Sequence, residues 1–535
     1  MLTSVLALLG ALGAAPADTV PLYDNLGDHH YPISTRVPLV QRYFDQGLRL
    51  YYAFNHAEAV RAFREGQRLD PHCAMCFWGE ALAFGPNINL PMDSAAGVAA
   101  HRAMEEAVRQ GGGSAEERAL IRALATRYAS PPPVNRARLD SAYARAMADV
   151  ARRFPRDQEA AVLAAEAAMD LRPWSYWTKD GQLQPGMAEA LATLERVIST
   201  NPRHPGACHF YIHAVEAVHP ERAVQCAERL AGAMPGAGHL VHMPGHIYIR
   251  VGRYLDAIVA NQHAVHADET YIRDQRPGVG MYTAGYYPHN YDFMAFAASM
   301  AGQRARAIGA ADKLAELDTP EVMREPGMAF TQHHATRRLQ VRIRFERWDE
   351  ILETPAPPAD LAHAKAMWHY ARGRALVAGG KTRAARAELD AVRAAIRDPR
   401  LQGLRLEFNE SPAILKIAAE VLAGRIASAE RHHPQAVHHL ELAVAAEDAL
   451  TYGEPPDWTI PARQDLAAVL LAAKRPADAE RVSREDLARF PNNGWSLAAL
   501  IRALEGQGRG EEIGELETAL RRAWRDADVP VPGTR

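Results

Sequence analysis

Residues 43–71, YFDQGLRLYYAFNHAEAVRAFREGQRLDP, decide the fold. Tyr43, Gly47, Leu50, Ala59, Phe63, Gly66 and Pro71 stand at the offsets of a 34-residue helix-turn-helix repeat. The physical content is simple. Gly47 and Ala59 carry little bulk where two antiparallel helices must approach, Phe63 fills the space between them, and Pro71 cannot continue the second helix.

The signature recurs along the chain. Gly245, Tyr248, Ala257 and Ala264 fit one repeat, and Gly424, Ala427, Ala436, Leu440 and Ala443 another. Leu470, Ala479 and Pro491 fit a third, after which Trp495 opens a last hairpin. Residues 290–314 and 371–396 show the same alanine-rich texture with weaker signatures. Aromatic residues are only 7% of the chain and charged ones 23%, and Ala, Leu and Arg dominate most segments. The expected fold class is all-α: an α-α superhelix, a solenoid of antiparallel helix pairs without a sheet.

Loops interrupt this array in recognisable places. Three glycines at 111–113 lead into Ser114-Ala-Glu-Glu117, a capping box that should start a helix. The proline runs at 131–133 and 355–358 cannot be helix interior. A boundary near 355 therefore separates a repeat region, 18–355, from C-terminal repeats at 356–527. Residues 528–535 should form a flexible tail.

The first seventeen residues, MLTSVLALLGALGAAPA, are uncharged and too short to span a bilayer, but they suit the core of a secretory signal. Ala15-Pro16-Ala17 offers a cleavage site, so a mature chain would begin at Asp18. The missing Lys or Arg ahead of the apolar core departs from the usual pattern. The expected location is periplasmic or secreted, with no transmembrane segment apart from the signal. A net charge of -3 and the lack of a long basic run argue against nucleic acid or an acidic membrane surface as partner. Cys73 and Cys76 form a C-x-x-C, while Cys208 and Cys226 stand apart. No strand precedes the C-x-x-C, so structural or disulfide cysteines are expected rather than a redox centre.

Chemistry concentrates at 204–292, which holds ten of the 23 histidines. HFYIHAVE places His209, His213 and Glu216 at i, i+4 and i+7, along one helix face. Two imidazoles a turn apart can ligate one ion, and the carboxylate can be a third ligand or an outer anchor. His242 and His246 repeat the H-x3-H spacing, with His239 three residues upstream and Pro244 marking a helix start. The expected metal set is His209, His213, Glu216, His242 and His246, holding a divalent transition metal, zinc or copper. The competing reading is that these side chains satisfy buried backbone groups at irregular repeat junctions. The H-E-x-x-H of zinc peptidases is absent, which disfavours that mechanism. Asn55, His56, Asn87, Asn89, His289 and Asn290 are expected to line the rest of the pocket as ligand-binding groups. The Trp174, Tyr176 and Trp177 loop reads as a plug between repeats.

FNHAEAVRAFREGQRLDPHCAMCFWGEALAFGPNINLPMD, HFYIHAVEAVHPERA and HLVHMPGHIYIRVGRYLDAIVANQHAVHAD together resemble a family of exported bacterial tetratricopeptide-repeat proteins. The resemblance covers roughly residues 40–300. It implies an α-α solenoid and a non-cytoplasmic location, and supplies no reaction. The expected function is a binding or scaffold protein whose concave groove holds a protein, peptide or small-molecule ligand. The alternative is a metal-dependent enzyme with its active site in the histidine-rich groove.

Overall fold

In the computed structural model the described residues run from 20 to 532, so the segment read as a signal lies outside them. The structure is 67% helical. It forms two compact units, one of Met1–Ile247 with His263–Tyr282, the other of Tyr248–Gln262 with Thr283–Arg535.

The first unit starts from the stretch that decides the fold. Helices Pro38–Tyr52, His56–Leu69 and Ala74–Phe84 pack one on the next. The Phe63 ring is clamped between Gly47 and Gly79, where a Cβ would sit 2.6 and 2.4 Å from it. Any larger residue at either glycine would push the helices apart. Successive helices continue this packing through Ser94–Gln110, Ala115–Ala125, Ala137–Arg153, Gln158–Met169 and Met187–Thr200 to Pro205–Val215. The capping box is present: Ser114 Oγ accepts from Glu117 N, and Glu117 accepts from Ser114 N. Cys73 and Cys76 are joined as a disulfide, whereas Cys208 and Cys226 are buried free thiols.

One backbone device marks the repeats. A residue in the left-handed region closes the first helix of a pair, and the next amide donates to the carbonyl five residues back. This occurs at Phe54, Gly252, Gly302, Glu346, Gly380, Arg431, Lys474 and Gly508, with bonds such as Asn55 N to Leu50 O at 3.0 Å and Arg475 N to Leu470 O at 2.9 Å. It is the helix-ending turn that recovers an orphan carbonyl and reverses the chain. Seven of these turns lie in the second unit.

That unit consists of helix pairs joined by these turns, among them Tyr287–Met300 with Arg304–Leu317, Ala362–Ala378 with Thr382–Ile396, and Ser411–Ala429 with His433–Asp448. Ala462–Ala472 with Pro476–Arg489 and Gly494–Glu505 with Ile513–Ala523 complete them. The core is built from Tyr370, Ile414, Leu415, Leu422, Leu440 and Leu466. Two expectations need correction. A sheet does exist, though only two residues a strand: Arg405–Leu406 pairs antiparallel with Asn409–Glu410 across a tight turn at Glu407. Asp528, in the segment read as a flexible tail, accepts from Arg304 N and Ala305 N at 2.6 and 2.8 Å and so caps a helix. Among the described residues no helix is long and apolar enough to cross a membrane.

Candidate metal centre

Helix Pro205–Val215 carries the chemistry. Pro205 sits in its first turn, and His204 caps it, with Nδ1 accepting from Ala207 N at 3.2 Å. Every residue of this helix is buried. Gly206 lets it lie against the Tyr52 ring, which a Cβ would meet at 2.4 Å. That close approach brings the C-terminal end of the first repeat helix to His209.

His209 Nδ1 lies 2.7 Å from the Tyr52 carbonyl. A carbonyl only accepts, so His209 carries its proton on Nδ1 and its lone pair on Nε2. His213 Nδ1 faces Glu216 Oε1 at 3.1 Å, and His246 Nδ1 faces Glu216 Oε2 at 2.8 Å. Burial pushes the Glu216 carboxyl up, but the His246 and His213 imidazoles outweigh it and hold the group at about 2. Glu216 is therefore an acceptor for both rings, and His213 too is protonated on Nδ1. Burial, which disfavours a charged ring, lowers the pKa of His213 and drives those of His209 and His239 well below the ordinary range.

The consequence is at the other side of the rings. His209 Nε2 and His213 Nε2 face each other at 3.1 Å. With both protons committed elsewhere, two lone pairs point at one spot. Two imidazole nitrogens on a tetrahedral ion would stand about 3.3 Å apart. Donor atoms of His209, His213 and His239 all lie within 4.8 Å of one another, as do those of His213, Glu216 and His246.

A buried histidine pair in the second unit shows the alternative. Ser411 Oγ donates to His363 Nδ1 at 2.8 Å, His363 Nε2 to His333 Nδ1 at 2.9 Å, and His333 Nε2 to the Asp457 carbonyl at 2.8 Å. Every lone pair there meets a proton. At His209 and His213 that bookkeeping does not close.

The surroundings are aromatic and strained. Phe54 is the turn residue of the first repeat, with φ of 55°. Elsewhere in the series this position is glycine or an exposed charged residue, but Phe54 is 1% exposed. Its ring stacks on His56 and His239 and lies 4.5 Å from His209 by centroid. Trp174, also left-handed at 61°, sets its ring 5.0 Å from His213. A bulky side chain costs about 1–2 kcal/mol in this region and persists only where its surroundings hold it.

The five metal candidates fall unevenly. His209, His213, Glu216 and His246 are brought together as above. His242 ends the short helix Gly238–His242, its ring 4.8 Å from that of His246 and 5.7 Å from that of His239. His239 takes the place beside His209 that the sequence reading gave to its neighbour. The 239, 242, 246 spacing held the signal and all three rings are buried, but only the fold sets His239 beside His209 and His242 beside His246. Tyr52 and Phe54 carried no signal, because nothing local ties them to residue 209.

The ligand-binding candidates separate as well. Asn87 closes its own loop, accepting from Asn89 N and Leu90 N at 2.8 and 3.0 Å, and Asn89 Oδ1 accepts from Trp174 Nε1 at 3.0 Å. These two build the loop that holds Trp174. Asn55 caps helix His56–Leu69 and lines a cavity of about 300 Å³ with Tyr23, Tyr271 and Tyr282. His56 stacks on Phe54 and meets Tyr51 edge-on. His289 and Asn290 belong to the second unit, on helix Tyr287–Met300, where His289 packs against Phe293.

No family model matches this sequence, and no curated protein does. Solved structures with similarity include a human IFIT1 dimer with m7Gppp-AAAA, at 12% identity and a TM-score of 0.30 over 92% of this chain and 91% of that one. Naa15/Naa10 bound to HypK-THB matches at 12% identity and 0.23, over 91% and 89%. The P58(IPK) TPR domain matches at 13% and 0.17, over 69% and 98%. What those proteins bind is theirs.

Proposed function

We propose that this chain is a helical-repeat scaffold that holds a divalent transition metal, zinc or copper, through His209, His213 and His239. Glu216 and His246 form the outer shell, fixing the ring orientation that leaves His213 Nε2 free to ligate. One observation carries this reading: two neutral imidazoles whose remaining lone pairs converge at 3.1 Å. A shared cation resolves that repulsion, and neutral imidazole suits zinc and copper. The full burial of His209 and Glu216, both 0% exposed, favours a closed, organising centre over an open catalytic one. The concave groove of the repeats is the surface for a protein, peptide or small-molecule ligand. Export to an oxidising compartment is part of the proposal, and the Cys73–Cys76 disulfide supports it.

Elemental analysis of the purified protein tests the metal. One zinc or copper per chain is expected, lost in His209→Ala/His213→Ala while helicity by circular dichroism stays largely intact. A metal-free wild type, or a double variant that retains its metal, defeats the proposal. N-terminal sequencing from the native host should start at or near Asp18, and intact Met1 from a cytoplasmic fraction would count against export.

A further inference from the structure

Residues 20–27 precede the first helix and are laid along it. Tyr43 Oη donates to the Val20 carbonyl and Gln46 Nε2 to that of Pro21, each at 2.9 Å, and Tyr23 N donates to Gln46 Oε1 at 2.8 Å. Gly236 N donates to the Asn25 carbonyl at 2.9 Å and ties the same segment to a second loop. The segment thereby becomes one wall of the cavity of about 300 Å³ beside Asn55, which lies wholly in the first unit.

Three tyrosines line that cavity, Tyr23, Tyr271 and Tyr282. Their hydroxyls are committed elsewhere. Tyr23 and Tyr271 donate to the two oxygens of Glu58 at 3.0 and 3.2 Å, and Tyr282 donates to Asp268 Oδ1 at 2.6 Å. Glu58 and Asp268 are each 1% exposed and neither lines the cavity, so what the tyrosines turn to it is ring. Tyr23 and Tyr282 are half-buried, which leaves ring surface open to a ligand. Tyr271 and Tyr282 meet at 76° with centroids 5.5 Å apart, as adjoining walls of a corner. A phenol that donates to a carboxylate gains electron density, which deepens the negative potential over its ring. Asp24 and Asp274, both exposed, line the cavity too, and no Lys, Arg or His does. Arg273 Nε pairs with Asp274 at 2.8 Å from outside the lining, which leaves Asp24 as the main charge.

We propose that this cavity binds a small quaternary ammonium cation, its methyl groups against the rings of Tyr23, Tyr271 and Tyr282, with Asp24 and Asp274 supplying negative potential. Such a cation has no N–H to satisfy, so aromatic and apolar walls can replace its water. A primary ammonium brings three strongly hydrated donors, which rings and the neighbouring Leu22 and Leu50 cannot accept. The volume stands at the lower end for small-molecule sites and suits a headgroup with a short tail. The lining includes none of the metal-centre histidines, so this site does not depend on the metal.

Calorimetric titration of the full chain with choline, its neutral carbon isostere dimethylbutanol and glycine betaine tests it. Choline should bind one to one, with the neutral alcohol weaker by about tenfold or more, because the ring attraction acts on charge. Glycine betaine should also be weaker, since its carboxylate would meet Asp24 and Asp274. Tyr23→Leu keeps apolar area at a half-buried position and should weaken choline by about tenfold or more, whereas Tyr23→Phe keeps the ring and should stay within about threefold of wild type. Asp24→Asn, at an exposed position, should weaken it by about twofold to fivefold. Failure of the wild type to bind choline overturns the proposal, as does equal binding of the alcohol or the betaine. So does a Tyr23→Leu protein that keeps its affinity. A Tyr23→Phe protein that loses as much as Tyr23→Leu overturns it as well, because the hydroxyl bond to Glu58 and not the ring would then carry the effect.

Discussion

Proton bookkeeping at single nitrogens separates the two buried histidine pairs. His363 and His333 pass a hydrogen bond from Ser411 to the Asp457 carbonyl, and burial with Arg337 beside it holds His363 neutral down to about 3. Such a chain needs no ion. His209 and His213 have donated their protons to Tyr52 and Glu216, so the same neutral rings become a ligand pair. Glu216 is then a positioning residue acting through His213 and His246. Glu216→Gln keeps the shape but can present an amide N–H to one ring, turning His213 to the wrong tautomer. Metal affinity should fall by about 10–100-fold, as outer-shell changes do, and competition with a chelator of known affinity measures it. Retention of wild-type affinity would assign Glu216 to packing.

At the level of the element, the recurring left-handed turn gives a controlled comparison. Lys474 and Phe54 occupy the same backbone conformation, φ 56° and 55°, one exposed and one buried. Lys474→Gly relieves a conformation that side chains disfavour; the unfolding free energy, read by denaturant titration, should hold or rise by about 0.5 kcal/mol. Phe54→Gly gains the same relief but removes a ring packed on His56, His209 and His239. A net loss of about 2–4 kcal/mol is expected, since deleting a buried aromatic side chain costs about 3–5 kcal/mol. Metal affinity should fall with it. A Phe54→Gly protein as stable as wild type would mean that the ring is dispensable and the turn ordinary.

Across the whole molecule, buried acids make stability depend on pH. Asp318 is 1% exposed, and burial raises its carboxyl to about 7, against His334 and with Asp292 and Glu407 adding to the rise. The folded protein thus binds this proton more tightly than the unfolded chain. The contribution is fully present below about 4 and is lost as pH rises through about 7, by up to about 1.4 kcal/mol per pH unit within that window. Asp318→Asn cannot ionise. Its Tm should approach or exceed that of wild type at pH 8 and lose the advantage at pH 4, read by thermal scans at both values. A difference independent of pH would mean that Asp318 is ionised in the folded state.

Helix pairing was legible in the sequence because it is written locally. Gly47 and Phe63 need only their own hairpin to be recognised, and Ser114 and Glu117 cap their own helix. The i, i+4 spacing of His209 and His213 follows from the helix pitch alone. Nothing local could place the Tyr52 carbonyl on His209, 157 residues away, or set His239 beside His209 and His213. The same holds for Tyr23, Tyr271 and Tyr282, far apart in the chain until packing sets them round one cavity. The repeat sequence fixes which helices form and which faces they bury, because periodicity is a property of neighbours along the chain. Proton assignments, ring orientation and excess charge are properties of neighbours in space, and only the packed structure supplies those.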